Sequence, residues 1–372
     1  MYFDNAATTE PLPVDGPCVW ANPLSMHQIG QESSTILSGS RQQVADAIGV
    51  QTDSIIFTSG GTESTNLVFH NGNWDFVYTT VVEHAATYLS ALRASTVAFL
   101  PNHANGLINI SKLSAMAPHT PTPERVLLSV ILANNETGNV HSWETLRSAK
   151  QILQQRYACV RLHVDAVQAV GRMDVTIPDF VDFVSFSAHK FHGPHGCGIL
   201  FCRKVVDLQH RYLQVGGGQE GEIRPGTHNV AGIMHTAHVL RYMQCQGLQD
   251  RINYMNEIKQ VFMSTLRPFV KSKIVLMLTD DESALCNTLS FCVFQTDRFS
   301  LQQKLSSQGI HVGVGSACSV AKSSRILVSL NVPDSYSDGY LRFSWSPFNS
   351  LRDCHIAADV LKHILSTVSA PV

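Results

Sequence analysis

Short apolar runs alternate with longer amphipathic stretches along most of the chain. Residues 55–57, 76–80, 97–100, 126–132, 161–164, 183–186 and 198–202 are rich in β-branched and aromatic side chains, too short for helices and bounded by turn formers, which predicts buried strands. Between them, Ile36, Leu37, Val44, Ala45 and Ile48 recur at helical spacing and predict a helix over 31–48, with further helices near 85–94 and 143–157. This rhythm predicts an α/β fold, a mostly parallel sheet with helices on both faces. Beyond Thr227 a helical pattern runs from 230 to 246 and on to about 269. Strand patterns then follow at 274–277, 288–294, 311–314 and 340–343, with helices near 301–308 and 351–368, which predicts a smaller α+β domain. Residues 1–27 hold Pro11, Pro13, Pro17 and Pro23 and predict irregular chain lying over another surface. The expected division is a large domain at 15–248, with 1–14 joining 249–372 in the small one.

Composition narrows the function classes. With 372 residues, 44% hydrophobic and 15% charged, the chain can bury a large core, and a net charge of -2 leaves no basic field for nucleic acid or a membrane surface. No apolar run reaches bilayer length and residues 1–23 lack a signal-peptide pattern, so a cytoplasmic protein acting on a small molecule is expected. The nine cysteines form neither an even disulfide framework nor a CxxC zinc pattern, and no metal is expected. Cys286 and Cys292 sit among apolar residues and read as buried hydrophobes.

Sheets of this kind bind ligands beyond the carboxyl ends of their strands, and the chemistry-bearing residues gather there. Thr58-Ser59-Gly60-Gly61-Thr62-Glu63-Ser64 is a strand end, two glycines and a helix start, which suits an anion. The alternative is a helix capped by Ser59 or Thr62. Neither the P-loop nor the dinucleotide fingerprint is present, which argues against a nicotinamide dehydrogenase. Glu83-His84 follows the second strand, Asn134-Asn135-Glu136-Thr137-Gly138 the fourth, Asp165 with Gln168 the fifth, and Ser187-Ala188-His189-Lys190 the sixth. Each has an ordinary structural alternative: a helix-start histidine, a turn, an N-cap, a loop lysine. Four such sites on one edge point instead to a shared ligand. Lys190, set among Phe186, Ala188 and Phe191, is partly desolvated, which favours a neutral amine able to form a Schiff base with an aldehyde.

From Asp4-Asn5-Ala6-Ala7-Thr8 nearly to its C-terminus, the chain resembles the pyridoxal-phosphate-dependent cysteine desulfurases of the fold-type I, class V aminotransferase superfamily. The resemblance is carried, in order and spacing, by Thr58 to Ser64, Asn134-Asn135-Glu136, His163-Val164-Asp165-Ala166-Val167-Gln168, Ser187 to Lys190, Arg224-Pro225-Gly226-Thr227 and Gly315-Ser316-Ala317-Cys318. It implies fold-type I architecture and pyridoxal 5'-phosphate as cofactor, bound covalently by Lys190. Asp165 would pair with the ring nitrogen, His84 would stack on the ring and move protons, and Asn135 and Gln168 would lie near the phenolic oxygen. The phosphate would fall to Gly61, Thr62, Ser187 and His189, with Thr227 of the partner subunit completing the seat, which implies a homodimer. Arg342 and Asn135 would hold the carboxylate of L-cysteine, and Cys318, on a mobile loop, would take the sulfur as a persulfide. L-alanine would leave, and an acceptor protein such as an iron-sulfur scaffold or a tRNA-thiolation protein would receive the sulfur. A selenocysteine lyase and a catalytically silent sulfur-pathway scaffold are the alternatives of the same fold. Between Thr9 and Asn22 the chain is shorter than the family pattern, which bears on N-terminal packing and the dimer surface.

Overall fold

The computed structural model describes residues 1–14, 16, 20–94, 96–116, 125–208, 213–279, 283–315 and 324–371. Its first part runs β1 (Tyr2–Phe3), α1 (Gln28–Ile48), β2 (Ile55–Thr58), α2 (Gly61–Asn71), β3 (Phe76–Thr79), α3 (Ala85–Leu92), β4 (Val97–Phe99) and α4 (Ile110–Ala115). There follow β5 (Arg125–Ile131), α5 (Trp143–Gln154), β6 (Cys159–Asp165), β7 (Phe183–Ser187), β8 (Gly198–Cys202), α6 (Val230–Cys245) and α7 (Leu248–Lys271). The last part holds β9 (Val275–Met277), β10 (Thr288–Val293), α8 (Arg298–Ser306), β11 (His311–Val312), α9 (Arg325–Ser329), α10 (Asp334–Ser337), β12 (Tyr340–Ser344) and α11 (Leu351–Ser366).

Seven strands form the central sheet in the order β2-β8-β7-β6-β5-β3-β4. It is parallel from β7 to β4, and β8 runs antiparallel to both of its neighbours. The period of two along each strand sorts side chains between the faces. Leu128, Leu162, Val164 and Phe186 meet Val44 of α1, Leu146 of α5 and Leu240 of α6 on one face, while Val77, Leu127 and Phe183 meet Leu67 and Val68 of α2 on the other. Under α2 that second face turns polar. His163 lies 2.8 Å by Nδ1 from Ser129 Oγ and 2.9 Å by Nε2 from Ser185 Oγ, and burial holds its pKa down to about 3, so the imidazole is neutral. Two residues further along the same strands, Asp165 and Ser187 emerge on that face at the carboxyl ends.

A second core lies around Phe262 and Leu266 of α7, Phe291, Phe343 and Leu361 of α11. Its sheet, β12-β10-β9, is antiparallel, and β1 pairs in parallel with β11. Phe3 enters this core edge-on to Phe262 at 5.5 Å, so the N-terminal start, expected to be irregular, is strand for two residues.

Other expectations shift in detail. The helical pattern from 230 to 269 is two helices, because Gly247 takes a left-handed φ of 63° that ends α6 and begins α7. The strand expected at 311–314 stops at Val312. The N-cap of α2 is Gly60, with no side-chain cap, in place of Ser59 or Thr62. Cys286 and Cys292 are buried as expected. No helix among the described residues is long and apolar enough to cross a membrane.

Candidate active site

A cavity of about 270 Å³ opens at the carboxyl ends of the parallel strands. Gly61, Thr62, His84, Asn135, Asp165, Gln168, Ser187, His189, Lys190 and Arg342 all line it, together with Ala6, Ala7, Ala86, Ile131 and Val167. Thr227 is elsewhere, in an open surface concavity with Gln219 and Pro225. Cys318 lies outside the described residues.

Lys190 ends a single 3-10 turn, Ala188–Lys190, directly after β7. Its Nζ donates to Ala6 O at 2.8 Å and Ala7 O at 2.7 Å. Burial, with Arg342 and Arg172 nearby, pulls the ammonium pKa down to about 8 against the opposing charges of Asp4 and Asp165. Arg172 fixes the surrounding backbone by donating to Lys190 O at 2.8 Å and to Gln168 O at 2.8 Å. Gln168 in turn donates to Ala6 O at 2.8 Å, so the N-terminal segment forms the floor of the cavity through its carbonyls.

Asp165 closes β6, and its Oδ1 accepts from Val167 N at 3.1 Å. Burial raises its pKa, while His84, the Val167 N–H and Lys190 act the other way. A cation brought beside it would settle it as a carboxylate. His84 is the N-cap of α3, its Nδ1 accepting from Ala86 N at 3.2 Å, which places the proton of the neutral ring on Nε2. Burial lowers its pKa; Asp165 opposes this, and Lys190 and Arg325 add to it.

The anion seat is built from backbone. Within α2, Ser64 N–H is already taken by Gly60 O at 3.0 Å, and the preceding N–H groups have no intrahelical acceptor. A Cβ on Gly61 would meet Val167 Cγ2 at 2.6 Å and Ser187 Cβ at 3.5 Å, so the close approach of this turn to β6 and β7 requires glycine. Glu63, the acid of that first turn, does not face the seat uncompensated. Arg224 Nε donates to it at 2.8 Å and Ser59 N at 2.6 Å, and these bonds hold its pKa low despite burial.

Arg342 reaches the cavity from β12 and is 2% exposed. Nη1 donates to Asn135 O at 2.6 Å and Nη2 to Asp4 Oδ1 at 2.6 Å. Arg342 Nε and Asn135 Oδ1 are both buried without a partner among the described residues. One orphaned donor and one orphaned acceptor on the same wall call for a ligand that carries both an acid group and a hydrogen-bond donor.

Glu83, set by the sequence beside His84 after a strand, carries a burial that the sequence does not show. Its Oε1 accepts from Thr80 Oγ1 at 2.6 Å and Ile131 N at 3.0 Å, while Oε2 is buried without a partner among the described residues. Burial raises its pKa to about 8, so it is a neutral acid beneath the cavity near pH 7. Nothing in the local sequence distinguishes it from a solvated glutamate. The contributions of Ala6 and Ala7 were likewise hidden, since they act through carbonyls and their only signal was the family-like string that contains them.

The chain belongs to the class-V aminotransferase family, whose model, Aminotransferase class-V, matches residues 1–355. It is 30% identical over 386 residues to "Cysteine desulfurase IscS" of Dictyoglomus turgidum, covering 98% of this chain and 94% of that protein. It is 32% identical over 376 residues to a "NifS/IcsS protein homolog" of Lactobacillus delbrueckii subsp. bulgaricus, covering 95% and 94%. Among solved structures, a "NIFS-like protein" matches over 99% of both chains at 28% identity with a TM-score of 0.86. The apo structure of a cysteine desulfurase from Thermococcus onnurineus NA1 shares the fold at 22% identity, with a TM-score of 0.82 over 99% of this chain and 95% of that one. The family's cofactor is pyridoxal 5'-phosphate. The donor set fits it: a helix N-terminus without side-chain cap for a phosphate, an amine for an aldehyde, a buried carboxyl for a ring nitrogen and an orphaned amide oxygen for a ligand donor.

Proposed function

We propose that this protein is a cysteine desulfurase that converts L-cysteine to L-alanine and passes the sulfur from Cys318 to a thiol-bearing acceptor protein. The observation that carries the proposal is the buried Lys190 amine in one cavity with Asp165, the α2 N-terminus and Arg342. When bound, pyridoxal 5'-phosphate supplies an aldehyde for amines and a ring that takes up electron density from the substrate Cα.

Everything else falls to the chain. Gly61 N–H, Thr62, Ser187 and His189 would hold the phosphate, and Asp165 would keep the proton on the ring nitrogen. Gln168 and Asn135 would orient the polar edge of the ring, and His84, whose Nε2 carries the proton, would offer it a donor. Arg342 turns its free Nε to the substrate carboxylate, which aims the Cα–H bond. Lys190 would take that proton and later return one, a task suited to an amine whose pKa is near 8. Ile131 and Val167 line the cavity with apolar surface that limits water. Cys318 thiolate then forms an S–S bond to the substrate sulfur as the Cβ–S bond breaks, and the electron pair of that bond stays with the carbon skeleton, which leaves as alanine after protonation.

The same reading includes a cytoplasmic homodimer in which Thr227 completes the phosphate seat of the other protomer. Its support is that Thr227 stands apart from the cavity of its own chain. A large domain at 15–248 and a small one of 1–14 with 249–372 belong to the same reading; Met1 and Phe3 join the core around Phe262, which supports it, while Leu12 and Val14 pack against the large core. Borohydride reduction of the protein carrying its cofactor, followed by peptide mapping, tests the central assignment. The cofactor mass is expected on the peptide containing Lys190, and its absence there overturns the proposal.

A further inference from the structure

His189 belongs to a second arrangement that the proposed reaction does not use. Its Nδ1 lies 3.1 Å from Thr8 Oγ1, and the same Oγ1 lies 3.1 Å from Nε2 of His195, an exposed residue in the turn after Lys190. The two imidazoles are stacked with centroids 5.2 Å apart. The bridge is held in place from both sides. Thr9 donates to His189 O from both N and Oγ1 at 2.9 Å, and Tyr2 OH donates to Thr8 O at 3.0 Å. No carboxylate bonds either ring among the described residues. Asp4 of that segment is taken by Arg342, and the Lys190 ammonium is taken by the Ala6 and Ala7 carbonyls.

A hydroxyl has one proton, so Thr8 can donate to only one of the two rings. His189 is kept neutral by burial, by Lys190 and by His195, which hold its pKa down to about 4, and it therefore has one N–H to place. With the proton on Nδ1, that N–H is spent on Thr8, and the cavity-lining ring presents a bare lone pair that repels an anion. With the proton on Nε2, Thr8 donates to Nδ1, and the Nε2–H, which has no partner among the described residues, is free for the cavity. The second arrangement is favoured when His195 Nε2 donates to Thr8, as a protonated imidazole always does.

We infer that His195, acting through the Thr8 hydroxyl, sets which nitrogen of His189 carries the proton and so how strongly the cavity holds a phosphate ester. This rests on the assignment of the anion seat to Gly61, Thr62, Ser187 and His189. His195 is a positioning residue, touching neither the phosphate nor the reacting atoms. The hydrogen bond it makes at the surface is thereby linked to anion retention inside.

Titrations of the apo protein with pyridoxal 5'-phosphate and with phosphate-free pyridoxal, followed by quenching of protein fluorescence, test it. His195→Glu only accepts, so it draws the Thr8 proton outward and leaves His189 with Nδ1–H. Affinity for the phosphate ester is expected to fall on the order of tenfold, the scale of one hydrogen bond to a charged group, with pyridoxal unchanged. In a Thr8→Val background the bridge is cut, and His195→Glu is expected to cause no further fall. An undiminished loss in that background means the charge acts through space and overturns the relay, as does an equal loss for pyridoxal. His195→Lys always donates and is expected to bind as tightly as the parent. If Thr8→Val does not fold, ¹⁵N shifts of the His189 ring decide: His195→Glu must move the proton from Nε2 to Nδ1, and an unchanged tautomer overturns the inference. A parent protein that binds neither pyridoxal form overturns the assignment of the anion seat, and the inference with it. Binding of both forms with no effect of the variants overturns the relay alone.

Discussion

Arg342 donates from Nη2 to Asp4 Oδ1 at 2.6 Å, joining residues 338 positions apart and locking the N-terminal segment to β12. The bond, with that from Nη1 to Asn135 O, leaves Nε of the guanidinium without a partner among the described residues. Asp4 thus works as a clamp on the arginine, and the planar fork keeps one edge for a substrate carboxylate. Arg342→Lys is expected to raise KM for L-cysteine roughly ten- to a hundredfold, the loss of a charged hydrogen bond, with a smaller change in kcat. Cofactor absorbance should be retained. Steady-state alanine formation measures the split, and an unchanged KM would remove Arg342 from the substrate site.

The sheet was legible because its strands are β-branched, short and buried on both faces, and residues at strand ends carry their chemistry in their side chains. Asp165, His84 and Lys190 could be placed on one edge from strand order alone. What escaped acts through backbone or through burial. Ala6 and Ala7 contribute carbonyls, which no side-chain pattern reveals. Gly247 sits in a helical pattern that continues on both sides, and only its left-handed φ of 63° shows the break. Glu83 is next to His84 in sequence, yet whether an acid there meets water or the underside of β5 is decided by β3–β5 packing. The Thr8 bridge joins a segment expected to be irregular to a turn 187 residues away.

Glu83 gives a pH prediction with a definite sign. Its folded pKa is about 8 against an ordinary 4.5, so between those values the folded protein keeps a proton that the unfolded chain releases. Its contribution to stability is full below pH 4.5, declines as pH rises towards 8 and is flat beyond. Glu83→Gln keeps a neutral acceptor for Thr80 and Ile131 without titrating. Thermal melts of the apo proteins should therefore coincide near pH 5, with the variant melting higher at pH 8. A gap that does not widen with pH would show that Glu83 is not a buried neutral acid.

Asp165 sets function against stability. Its carboxyl is buried and among the described residues accepts one hydrogen bond, from Val167 N, and burying such a group is unfavourable until a cation arrives. Asp165→Asn is expected to leave the apo melting temperature equal or higher, while cofactor retention and alanine formation both fall, turnover by about a hundredfold or more. Calorimetry with and without cofactor separates the two. A variant that melts lower in the apo state would mean that Asp165 serves the fold as much as the site.

Lys190 and Cys318 should fail differently, because Lys190 lines the cavity that fits the cofactor, whereas Cys318 is proposed to act on the substrate sulfur. Lys190→Ala removes the amine that holds the cofactor and the base that moves the Cα proton, so the visible absorbance of the purified protein and its turnover should be lost together. Cys318→Ser leaves Asp165, the α2 N-terminus and Lys190 untouched. That variant should purify with cofactor absorbance intact and respond spectrally to L-cysteine, yet release sulfur at least about a hundredfold more slowly, since a serine hydroxyl at neutral pH is a far poorer nucleophile than a thiolate. Release of sulfide and alanine by Cys318→Ser at the parent rate would exclude transfer through Cys318. Of the other cysteines, Cys202, Cys286, Cys292 and Cys354 are buried and their thiol pKa values raised, which leaves them poorly fitted to replace it. Direct elimination within the cavity would then be the mechanism to test.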